Sequence, residues 1–165
     1  MSGEPSIDEE LLEQYRGYAL ALIDALVTAL PGWVERCVRD RVVASGVRFD
    51  AEARAAAEAA AASTLAEVLP KVRALVLTDP DDQATNPLSV LRAGTSHATG
   101  ALRSLGVPEV ERDEFAERAF PDDVYDLAPA AFSDVDPALH EPGLAWGAAK
   151  AHVHLTRRRA EASRA

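Results

Sequence analysis

Leu11, Tyr15, Tyr18, Leu22, Leu26 and Leu30 recur at steps of three and four residues, and Leu12, Ala19, Ile23 and Val27 widen the stripe. That spacing gathers apolar side chains on one face of an α-helix; a strand would need them at every second position. The same period returns in Leu65, Val68, Leu69, Val72, Leu75 and Val76, and period-two alternation is found nowhere. A chain patterned in this way folds as an all-α protein. The expected architecture is a helical bundle of four to six helices with an irregular proline-rich segment before the last helix.

Caps and breakers divide the pattern. Ser6-Ile7-Asp8-Glu9 fits a capping box at the first helix, and Pro31-Gly32 is expected to end it. Pro31 then opens a second helix to about Ala44, with Trp33, Val34, Cys37, Val38 and Val42 on its inner face. Asp50 caps an alanine-rich third helix, which the unbroken period carries across Pro70 with a kink. After the acidic loop Thr78–Thr85, Asn86-Pro87 opens a fourth helix, in which Gly94 and Gly100 predict close approach of another element. A short fifth helix is expected over Glu109–Phe120. Pro121, Pro129, Pro137 and Pro142 then cut the chain into pieces suited to turns and single-turn helices. The last helix is expected over Leu144–Arg159, packing Leu144, Ala148, Ala151 and Leu155. Residues 1–5 and 161–165 read as disordered ends of a single helical domain over 6–160.

Charge narrows the function classes. Of 165 residues 48% are apolar, enough for one core, and the net charge is −10. Residues 78–141 hold 14 acids against 4 bases, while residues 142–165 hold 1 acid against 5 bases. The acidic middle is either a solvated face or a docking surface for a basic protein partner, and it disfavours binding to nucleic acid. Cys37 is the only cysteine, so no internal disulfide forms. The acidic N-terminus is unlike a secretion signal, and the apolar run Tyr18–Leu30, broken by Asp24, is short for a bilayer. A cytoplasmic protein with no membrane association is expected, with self-association through the leucine-rich first helix as an accompaniment.

Familiar chemistry is missing: there is no phosphate-binding glycine loop, nucleophile elbow or CxxC pair, and His140-Glu141-Pro142-Gly143 lacks the second histidine of a zinc helix. Asp113, Glu114, Glu117, Asp122, Asp123 and Asp126 are interleaved with Arg112 and Arg118, which favours ion pairs over a metal. His152 and His154, two apart on a helix, point away from each other. No cofactor and no metal is expected. What remains is a polar and aromatic set in and beside the proline-cut region: Arg112, Arg118, Asp122, Asp123, Tyr125, His140, Glu141 and Trp146.

The structural reading of that set is a network of Arg–carboxylate bonds that fastens the irregular segment over the bundle; beside it, two functions suit the set. The first is a non-enzymatic interaction or regulatory module that docks on a protein partner through these residues. The second is an enzyme or a small-ligand or metal binder. Its polar pocket would lie between residues 112–146 and the glycine-bearing helix 86–105, with Asp122 or Glu141 as base and His140 as acid. A pocket should enclose Asp122, His140 and Trp146, whereas a docking surface should leave several of them exposed.

The segments DDQATNPLSVLRAGTSHATGALRSLGVPEVERDEFAERAFPDDVYDL and HEPGLAWGAAKAHVHL, spanning Asp81 to Leu155, resemble a group of small uncharacterised helical proteins of high-GC actinobacteria. The resemblance implies a bacterial cytoplasmic protein, consistent with 15 arginines to 2 lysines, and it brings no activity, cofactor or site residue.

Overall fold

The computed structural model describes residues 7–82, 86–112 and 120–165. Its axis is one long helix, α1 (Ile7–Ala44), with Asp8, Glu9 and Glu10 in the first turn and Arg41 in the last, the charges that complement the helix dipole. The two helices expected on either side of Pro31 are one. Pro31 withdraws a single amide from the ladder, but Leu26, Leu30, Trp33, Val34, Val38 and Val42 bury one continuous stripe across it. That shared burial outweighs the loss of one hydrogen bond. The capping Ser6 lies outside the described residues. Gly46, at φ +79°, ends the element in the left-handed conformation that glycine takes at least cost.

Asp50 caps α2 (Ala51–Val76) as expected, its Oδ1 accepting the Ala53 amide at 2.9 Å, and α2 runs through Pro70. The alanines of its first half, Ala53, Ala57, Ala60 and Ala61, are buried and let a neighbouring helix come close. Asn86 caps α3 (Pro87–Ala93), which breaks at Gly94-Thr95 before α4 (Ser96–Ser104), so the single fourth helix is two. A Cβ on Gly94 would lie 2.5 Å from Val68 Cγ2, which confirms the close approach there, whereas one on Gly100 would meet nothing within 4 Å.

Residues 107–112 are not helical, and the Val110 amide donates to the Val124 carbonyl at 3.0 Å. The expected helix Glu109–Phe120 therefore fails at its start, and residues 113–119 lie outside the described residues. The proline-cut region is irregular as expected, holding only α5 (Phe132–Val135) and a 3-10 turn, Pro137–Leu139.

The closing helix α6 (His140–Arg164) is longer than expected at both ends. Pro142 falls in its first turn, where no amide partner is required, and the supposed tail is helical to Arg164. Its rotation also differs. Gly143, Trp146 and Val153 face the core, while Leu144, Ala148, Ala151 and Leu155 are exposed. The Phe132 ring occupies the space over Gly143 and Trp146 fills the interior, so these two positions set the buried face. On α1, Tyr18 and Val27 are likewise turned outward.

The core lies where α1 packs on α2 and α6, joined by Leu91, Leu102, Tyr125 and Leu139. No strand occurs among the described residues. Made continuous through Pro31, α1 is long and apolar enough to cross a membrane, with mean hydropathy 1.5 over its most apolar window. Of that window 44% is buried inside the bundle.

Candidate functional site

The proline-cut segment is pinned by its own polar groups. Asp123 accepts the amides of Leu127 and Ala128, both at 2.8 Å, and Asp134 accepts those of Ala130 and Ala131 at 2.9 and 3.0 Å. Short acidic side chains can satisfy backbone donors where proline has prevented a helix from doing so. Asp126 stands at φ +56° and pairs with Arg112. Arg36 of α1 reaches across to the Val135 carbonyl at 2.9 Å and to Asp136 at 3.7 Å. Much of the acidic excess is thus engaged in turns and ion pairs.

The aromatic members of the set face inward. Tyr125 is buried and its hydroxyl donates to the Val107 carbonyl at 2.7 Å; burial raises its pKa. Trp146 is buried as well, its Nε1 donating to the Tyr15 hydroxyl at 3.1 Å and the Val76 carbonyl at 3.3 Å. Tyr15 donates in turn to Val76 at 2.7 Å. Tyr15, Val76 and Trp146 join α1, α2 and α6, and the burial of Tyr125 and Trp146 corrects their assignment as contact residues. Lys150 lies 5.4 Å over the Trp146 ring, its pKa lowered by burial.

Exposed members are Arg112, Asp122, His140 and Glu141; Arg118 lies outside the described residues. Asp122, His140 and Trp146 do not enclose a common cavity. An open cleft of about 710 Å³ lies instead between α3–α4 and the segment Phe120–Ala128, beside Arg92, Ser96, Thr99 and Arg103. Of the described members of the anticipated set, only Asp122 and Asp123 line it. Phe120 forms its rim, 39% exposed, with the Arg92 guanidinium 4.8 Å above the ring and Arg92 Nε donating to the Pro129 carbonyl at 2.9 Å. Arg103 lies 3.7 Å from Glu109. Comparison with family models, curated proteins and solved structures finds no match to this chain.

The cleft has the position foreseen for a pocket, but Arg92 and Phe120 gave no signal in the sequence: their stacking depends on a tertiary approach. A second feature was also missed. Arg157 Nη1 reaches Asp79 at 2.8 Å and Asp81 at 2.5 Å, and its Nε reaches Asp8 at 3.2 Å, with His154 3.0 Å from Asp81. One basic side chain of α6 thereby fastens the start of α1 and the loop after α2. Among the described residues, every buried side-chain nitrogen and oxygen has a partner, and no three His, Cys, Asp or Glu groups gather as a ligand set.

Proposed function

We propose that the protein is a non-enzymatic interaction module of the cytoplasm, and that it docks a basic segment of a protein partner in the cleft between α3–α4 and Phe120–Ala128. The observation that carries this proposal is the exposed Phe120 ring at the rim of an open concavity, held in place by Arg92 and flanked by exposed Asp122. A flat aromatic anchor with a carboxylate beside it suits an apolar side chain next to a lysine or arginine. The surrounding acidity, 14 acids to 4 bases over residues 78–141, would attract such a segment and repel nucleic acid.

The test compares affinity capture from the native host by wild type and by Phe120→Ser combined with Asp122→Lys. Both positions are exposed, so the variant should keep the wild-type far-UV dichroism. The expected result is one enriched protein that is lost with the variant and eluted by salt. Absence of any enriched protein would refute docking. A second function, a small anionic ligand held by Arg92 and Arg103, is favoured by the guanidiniums and hydroxyls that share the cleft. It predicts a rise in Tm with a carboxylate or phosphate library that Arg103→Ala abolishes.

A further inference from the structure

Leu144 and Leu155 are among the most exposed large apolar side chains of the described residues, at 61% and 53%, and both lie on α6. Eleven residues apart on a helix, they point within about 20° of each other. Between them Ala148 and Ala151 are also exposed, so 144, 148, 151 and 155 form an outward seam at steps of four, three and four. That is the spacing of a coiled-coil contact line, and it lies opposite the face that α6 buries in its own bundle.

The order of residues along this seam reads the same in both directions. Reflected about the midpoint between Ala149 and Lys150, Leu144 falls on Leu155, Ala148 on Ala151, Glu141 on Arg158 and His140 on Arg159. All eight positions are exposed. An antiparallel pair of α6 helices from two copies would therefore stack leucine on leucine at each end and alanine on alanine at the centre. It would also set Glu141 of each copy level with Arg158 and Arg159 of the other. A parallel pair would oppose Glu141 to Glu141 and arginine to arginine, so the charges select the antiparallel arrangement. The dipoles of antiparallel helices also oppose. The small central alanines allow the axes to approach to about 8 Å, the close end of helix packing.

We infer that α6 is a self-association surface, and that a second copy of this chain covers Leu144, Ala148, Ala151 and Leu155 through an antiparallel two-fold pairing closed at both ends by Glu141 with Arg158 and Arg159. The seam spans about 25 Å from Glu141 to Arg158. A single helix pair of that length falls short of the roughly 800 Å² per partner of a standard interface, so the dimer is reversible, with a Kd in the micromolar range or weaker. The surface lies apart from the Phe120 cleft and from the leucine stripe of α1, most of which the bundle buries.

Sedimentation velocity on the full chain over about 1–500 μM tests the pairing. The wild type should pass from monomer to dimer. Glu141→Arg alone should weaken the dimer by about tenfold or more, as should Arg158→Glu with Arg159→Glu. All three changes together should restore it, because they exchange the signs without altering the seam. Leu144→Lys should abolish it. These exposed positions carry no contact of the core, and unchanged far-UV dichroism and Tm of the monomer verify that. A wild type that stays monomeric throughout overturns the inference. So does a dimer unaffected by Glu141→Arg, or a triple variant no stronger than either reversal. A wild-type monomer whose Leu144→Lys variant loses a cellular protein would assign the seam to another occupant and overturn self-pairing.

Discussion

Arg157 shows what one side chain can do when three carboxylates converge on it. Asp8 lies some seventy residues before the neighbouring pair Asp79 and Asp81, Arg157 lies as far beyond them, and only the return of α6 along α1 brings the guanidinium among them. Asp81 has its pKa lowered, chiefly by Arg157 and then by His154. A carboxylate depressed in the folded state contributes stability above its unfolded-chain pKa and loses that contribution as pH falls through the lower folded value. Arg157→Ala should cost about 1 kcal/mol at pH 7, the carboxylates being largely solvated, and lower Tm by roughly 2–4 °C. Thermal unfolding of both proteins from pH 7 to pH 2 should show the difference narrowing towards zero in the acid range. Cys37 behaves in the opposite sense: burial pushes its thiol up to about 11, with Asp40 as a lesser cause. Its thiolate is therefore scarce at neutral pH, and alkylation at pH 8 should run roughly a hundredfold slower than in the unfolded chain. The same assay in denaturant provides the reference rate.

Among the elements, the paired glycines of the fourth region separate two causes that sequence spacing merges. Gly94 lies where α2 crosses, and an added methyl would press on Val68 and on the Leu91 carbonyl, 3.3 Å away. Gly100 lies within α4 with open space around it. Gly94→Ala should destabilise by about 1–3 kcal/mol through overpacking. Gly100→Ala should stabilise by about 0.5–1 kcal/mol, because a helical alanine gives up less chain entropy than glycine. Denaturant titrations with equal m-values would measure both. Opposite signs are expected from two glycines six residues apart.

Across the whole molecule, the helical class, the caps at Asp50 and Asn86, the stop at Gly46 and the irregular run after Pro121 were legible locally. Each depends on hydrogen bonds or steric limits within a few residues, and those are properties of the chain. The apolar period also indicated most of the buried face of α1. It misled wherever two faces of one helix were both apolar: on α6 it selected Leu144 and Leu155, while Trp146 and Gly143 point inward. Periodicity finds a stripe but gives no direction for the core, and the volume of one indole and the space over one glycine decided it. Pro31 misled for a related reason, since local rules weigh the missing amide and cannot weigh the burial on either side. The candidate site divided in the same way. Acidity and proline marked its neighbourhood, whereas tertiary packing decided that Tyr125 and Trp146 brace the interior and that Asp123 holds a turn. Packing also placed Arg92 against Phe120 at the rim of a cleft. Sequence determined the helical class and the ends at Gly46, Asp50 and Asn86 because those interactions are short-ranged. Tertiary structure decided which faces are buried and which charges meet, because those outcomes depend on residues that become neighbours only after the chain has packed.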